Sequence, residues 1–138
     1  MRRARLSDVT ASQASASHFT GNAARRDLLA AEDPPSSAIL VEFEPGSRTH
    51  WHSHPAGQYL FVMTGTGLAQ TRGGPIISIQ AGDCLYAAPG EQHWHGASQE
   101  SSVAHLAFSF GVTQWSEAVA SEAASSEPGA PADARQRP

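Results

Sequence analysis

From Ala38 to about Phe110 the chain is a succession of short apolar runs separated by turn-forming clusters, one cluster about every eight to twelve residues. That rhythm interrupts every helical period before it can complete three turns, and it is the pattern of an all-β sandwich or barrel. The clusters are Glu44-Pro45-Gly46, Pro55-Ala56-Gly57, Thr64-Gly65-Thr66-Gly67, Arg72-Gly73-Gly74-Pro75, Ala81-Gly82-Asp83 and Pro89-Gly90-Glu91. The runs between them predict strands near Ser37–Phe43, Arg48–His54, Gln58–Thr64, Gly67–Gln70, Ile76–Ile79, Cys84–Ala87, His93–Ala97 and Ser102–Phe110.

The flanks have a different texture. Residues 1–18 are small and polar with no period, and are expected to be a flexible N-terminal arm. The apolar stretch Asp27–Ala31 runs into Asp33-Pro34-Pro35, which ends whatever precedes it. After Trp115 a helical turn is expected through Ser116–Ala124. The sequence over 118–138 has the composition of a disordered tail. The folded unit is thus expected over 19–117, one domain in a chain of 138 residues.

Composition narrows the function. All nine basic residues are arginine, so the chemistry of a Schiff-base lysine, pyridoxal phosphate or a P-loop is excluded. A net charge of −4 without a basic stripe argues against a nucleic-acid partner. No apolar stretch approaches the ~20 residues that span a bilayer, so no membrane partner is expected. The opening Met1-Arg2-Arg3-Ala4-Arg5-Leu6-Ser7 lacks the apolar centre of a secretory signal. A single cysteine, Cys84, cannot form an internal disulfide, which agrees with a cytoplasmic location; it is expected as a small buried hydrophobe.

Against the missing lysines stand seven histidines, six of them between His50 and His105. Alternate residues of a strand share a face, so His50, His52 and His54 point one way and Trp51 and Ser53 the other. After the Pro-Ala-Gly turn, Gln58 opens the next strand beside them. His93 and His95 share a second face, with Trp94 opposite, and His105 shares a third with Ala107 and Ser109. Several imidazoles facing one interior are costly unless something satisfies them, and a metal ion does so directly. His52, His54, Gln58 and His93 supply three imidazole nitrogens and one amide oxygen, with positions left for water or substrate. Gln58 either ligates the ion or hydrogen-bonds a ligand.

The spacing resembles the cupin family. Its first motif is matched by Gly46, His52, His54, Gln58 and Gly65, its second by Gly82, Pro89-Gly90 and His93, so the motifs cover Gly46 to Gly96. Gln58 stands where many cupins carry a glutamate. A neutral ligand set would leave the ion's charge undiminished, favouring anionic ligands and strengthening its Lewis acidity. Phe19-Thr20-Gly21, Phe43 to Gly46, Trp51 to Pro55, Gly57-Gln58, Pro89 to Ala97 and His105 are similar to the small single-domain cupins that include bacterial manganese-dependent hydroxynitrile lyases.

That resemblance implies a small jelly-roll barrel with a divalent metal ion held by His52, His54, Gln58 and His93, and His95 and His105 at a small-molecule substrate. It implies manganese first, with iron(II), zinc or nickel as alternatives, and a homodimer or homotetramer. The activity it implies is Lewis-acid cleavage of a cyanohydrin to a carbonyl compound and cyanide. Other cupin activities stand beside it: an iron or nickel dioxygenase, an isomerase or cyclase, or a metabolite-binding module without turnover. The remaining residues have plainer readings. His50 is expected at the solvated rim and His18 in the arm without a role, and Arg48 and Arg72 are expected as strand-end charges. Trp51, Trp94 and Asp27–Ala31 are expected in core or subunit contacts.

Overall fold

In the computed structural model, which describes residues 1–120, the alternation of apolar runs and turns becomes twelve strands curled into a barrel of two facing sheets. In chain order these are β1 (Ser12–Gln13), β2 (Phe19–Thr20), β3 (Ala23–Glu32), β4 (Pro35–Phe43), β5 (Arg48–Thr49), β6 (His52–Ser53), β7 (Gln58–Thr71), β8 (Ile76–Gln80), β9 (Cys84–Ala87), β10 (His93–Ala97), β11 (Val103–Phe110) and β12 (Gln114–Trp115). Every pairing is antiparallel.

The long strand β7 joins the two sheets. Its first half lies between β11 and β9, and the sheet continues through β4 and β3 to β1. Its second half lies between β10 and β8, with β5, β2, β6 and β12 beyond β10. The two runs predicted at Gln58–Thr64 and Gly67–Gln70 are therefore one strand that bends at Gly65-Thr66-Gly67. Gly65 has φ +80°, and a Cβ there would collide with the carbonyl oxygen of Ser102. The turn signal marked a bend that the ladder passes through.

Inward positions of the two sheets meet in a core of Val41, Phe43, Val62, Ala69, Ile79, Ala97 and Val103, with Phe19 and Ala23. Outside the second sheet a smaller cluster forms, in which fully buried Trp94 packs on Leu68 and Val119 with Trp51 beside it. Trp94 is thus core and unavailable to a subunit contact. Its indole N–H donates to Gln70 Oε1 at 2.8 Å.

Several expectations are corrected. The stretch around Asp27–Ala31 belongs to a ten-residue strand, and Asp33-Pro34 is the turn that hairpins it onto β4. The strand expected at Arg48–His54 breaks at Trp51 into β5 and β6, so His50 leaves the face shared by His52 and His54. Cys84 is exposed, because the alternation of β9 turns Leu85 and Ala87 inward and Cys84 and Tyr86 outward. Part of the expected arm is docked: β1 pairs with β3, Ala14 is buried, and His18 lies flat on Trp115. Ser116–Ala120 forms no helix, and Val119 is buried. The rest of the expected helical turn and tail, 121–138, lies outside the described residues.

Candidate metal centre

His52 and His93 are register partners across β6 and β10, with ring centroids 4.3 Å apart. Two residues along β10, His95 turns to the same interior, 5.2 Å from His52. The donor atoms of His52, His93 and His95 all lie within 4.8 Å of one another, and the three residues are buried. His54, on the turn after β6, has its ring 5.0 Å from His52 and 5.5 Å from His93. Gln58, the first residue of β7, reaches in from the other sheet and puts Oε1 2.9 Å from His93 Nε2.

Backbone and side-chain partners fix which nitrogen each ring presents. His52 Nδ1–H donates to the His50 carbonyl and His93 Nδ1–H to the Glu91 carbonyl, both at 2.9 Å. Their Nε2 atoms therefore carry free lone pairs. The Glu91 turn is itself locked, its carboxylate accepting from Thr71 Oγ1 at 2.6 Å and from the Ala88 N–H at 3.0 Å. Gln58 Nε2–H donates to Ser109 Oγ at 3.0 Å, which aims Oε1 at His93. His54 Nδ1 is 3.2 Å from Thr113 Oγ1, and its Nε2 is buried without a partner.

Burial determines the charge state. Desolvation, reinforced by the neighbouring imidazoles, holds His52 and His95 well below the ordinary histidine range and His54 down to about 4. Desolvation likewise lowers His93 and brings His105 to about 4. All five rings are neutral at pH 7, as ligands must be. The arrangement then has an unmet requirement. With the Gln58 amide N–H given to Ser109, His93 Nε2 and Gln58 Oε1 face each other as acceptors 2.9 Å apart, a contact that a cation between them would satisfy. Together with the orphaned His54 Nε2, this fits a divalent metal ion with neutral nitrogen and oxygen donors.

Beside this group, His105 from β11 shares one hydrogen with His95, the Nε2 and Nδ1 atoms 2.9 Å apart. His105 Nδ1 and His95 Nε2 are both buried and otherwise unpartnered. The pair has two tautomers, and switching between them moves a proton from one outer nitrogen to the other. His52, His54, Gln58, His95 and His105 line one end of a cavity of about 400 Å3, within the size range of small-molecule sites. Ile39, Val41 and Ala107 give part of its wall an apolar surface, Arg25, Asp27 and Thr49 also line it, and Trp115 stands at its side.

The sequence profile of the Cupin domain family matches residues 39–109. The chain is a cupin. Among relatives of this cupin is a protein of Granulicella tundricola named (R)-mandelonitrile lyase, 43% identical over 104 residues that span 75% of this chain and 79% of the relative. A cupin-like protein of Thermotoga maritima superposes with a TM-score of 0.77 at 36% identity, covering 88% of this chain and 91% of that one. A polyketide cyclase of Streptomyces resistomycificus shares the fold at 18% identity and a TM-score of 0.71, covering 100% and 94% of the two chains.

Of the residues singled out from the sequence of this cupin, His52, His93 and Gln58 meet directly, His54 adjoins them, and His95 and His105 pair behind them. His95 stands closer to the donors than expected, inside the compact trio. His50 contributes its carbonyl and not its ring. Sequence reasoning missed Thr113, Ser109 and Trp115, which orient His54, Gln58 and His52 in turn. For Ser109 the signal was present, because it shares the inward face of β11 with His105. Trp115 sits on a two-residue strand that carries no period, and Thr113 lies in the connection just before it.

Proposed function

We propose that this cupin is a metal-dependent lyase that cleaves and forms cyanohydrins. The observation that carries the reading is a cluster of neutral donors opening on a partly apolar cavity with a hydrogen-bonded histidine pair at the same end. The 43% identical relative bearing a mandelonitrile lyase name supports the substrate class. His52, His54, Gln58 and His93 would hold a divalent ion, manganese first, which when bound supplies Lewis acidity at the substrate oxygen.

The chain's own residues do the rest. Ile39, Val41 and Ala107 receive the organic group, and burial excludes water from the reacting end. His95, with its Nδ1–H given to His105, accepts the substrate hydroxyl proton at Nε2. The carbon–carbon electron pair leaves with cyanide as the carbonyl forms. The proton then returns from the pair to cyanide, releasing hydrogen cyanide and restoring both neutral rings. With His105 held to about 4 and His95 well below the ordinary range, neither ring keeps an imidazolium, so the proton is passed on within the turnover.

Cyanide release from mandelonitrile by manganese-loaded protein, well above the chelator-treated control, is the expected result. Release no greater than that control overturns the reading. Oxygen uptake with the same substrates would instead mark a dioxygenase. His105→Gln is expected to lower kcat by roughly 10²–10⁴-fold while metal content by elemental analysis stays unchanged.

The proposal includes a cytoplasmic location, supported by the single free Cys84. It also includes a homodimer, supported by an exposed apolar face on the outside of the first sheet: Tyr59, Phe61, Met63, Tyr86, Phe108 and Phe110.

A further inference from the structure

Beyond β11 the described residues stay on the barrel. From Val112 to Val119 the chain runs back across the strand that carries His52 and the turn that carries His54, and it is fastened there at several points. Gln114 and Trp115 pair with Ser53 and His52 as β12. The Ser116 N–H donates to the Trp51 carbonyl at 2.9 Å, and the Trp51 N–H to the Glu117 carbonyl at 3.0 Å. Arg72 ion-pairs with Glu117 and lies over the Trp51 ring at 4.5 Å. Val119 is buried against Leu68 and Trp94, on the face of the sheet opposite the histidines.

Two side chains of this strap reach the metal centre. Thr113 Oγ1 is 3.2 Å from His54 Nδ1, and with the hydroxyl oxygen accepting from Nδ1–H it leaves Nε2 as the free nitrogen of that ring. The Trp115 ring packs on His52 at 4.7 Å, tilted 34°, and is itself stacked with His18, 4.2 Å away and 5° from parallel. Trp115, backed by its contact with His18, packs against His52 and restricts how far that ring can swing.

We propose that the segment from Val112 to Val119 completes the metal centre, with Thr113 and Trp115 as positioning residues for His54 and His52, so that docking of Val119 on the far face of the sheet sets how tightly the ion is held. This rests on the reading of His52, His54, Gln58 and His93 as ligands. Orienting partners of this kind are worth roughly 10- to 100-fold in metal affinity.

The test is manganese affinity of the full chain by chelator competition, with Thr113→Val, Thr113→Ser and Val119→Ala beside the wild type. Val keeps the shape of Thr113 and loses the hydroxyl, whereas Ser keeps the hydroxyl. The expected result is a 10- to 100-fold loss for Thr113→Val, recovery with Thr113→Ser, and a loss for Val119→Ala, which touches no ligand. In the metal-free protein, long-range proton–nitrogen spectra of the histidines should show His54 protonated at Nδ1 in the wild type and shifted toward the other tautomer in Thr113→Val. Unchanged affinity in Thr113→Val, or equal losses in the Val and Ser variants, overturns the inference while leaving the ligand reading intact. A wild-type chain that takes up no divalent ion overturns the ligand reading and the inference with it.

Discussion

At the scale of single residues, the departure with the largest chemical consequence is Gln58. An amide oxygen in place of a carboxylate leaves the donor set without charge, so an ion there would keep its full attraction for anions. Gln58→Glu is expected to tighten manganese binding and weaken inhibition by azide about tenfold each, ~1.4 kcal/mol in opposite senses, as read by titration of both ligands. The same neutrality governs the response to acid. A buried imidazole that accepts its proton only near pH 4, against 6.5 for the free side chain, makes the folded chain the poorer proton binder between those values. His52, His93 and His95, lowered in the same sense, add to it. The stability of the metal-free protein should therefore be level above about pH 6.5 and fall steadily from there to about pH 4, as thermal unfolding across that range will show. The His-x-His pairs were legible in the sequence because strand alternation places them without further information. Thr113 was not, because a lone hydroxyl acquires its meaning only from the ring that folding brings beside it, 59 residues away in the chain.

At the scale of elements, turn chemistry carried most of the information. The boundaries of β9 and β10 coincide with the predicted runs, since β9 lies between the Gly82 and Pro89-Gly90 turns and β10 opens after the latter, both on ladders with no irregularity. The prediction failed where a punctuation signal had two structural meanings. Asp33-Pro34-Pro35 read as an ending and is a hairpin connection, which hid β3; its alternation is further blurred by the bulge between Asp27 and Leu29. Gly65-Thr66-Gly67 read as a loop and is a bend within β7. The bend has a measurable cost if altered. Gly65 sits at positive φ against the Ser102 carbonyl, so Gly65→Ala is expected to destabilise the fold by ~2–4 kcal/mol in denaturant titrations. The loss should exceed that of Gly82→Ala, where φ is also positive but nothing lies within reach of an added Cβ.

At the scale of the whole molecule, the two faces of the barrel wall are used differently. The second sheet has its outer face covered by the chain's own strap through Val119, whereas the first sheet leaves Tyr59, Phe61, Met63, Tyr86, Phe108 and Phe110 on its outer face. If two copies pair there, Phe61→Glu places a charge in the contact. The protein should then elute and scatter light as a monomer with its thermal unfolding little changed, and a variant that remains a dimer would locate the contact elsewhere. The strap also has a consequence in time. The partners that orient the donors join residues 51 and 59 positions apart, Gln58 to Ser109 and His54 to Thr113. During synthesis the His-x-His pair leaves the ribosome some sixty residues before the hydroxyl that orients it, a delay of about 3–12 s at ordinary elongation rates. A growing chain therefore carries imidazoles without a centre until Thr113 has joined them, and the choice of ion falls to the folded barrel, in the metal pool of whatever compartment it has reached.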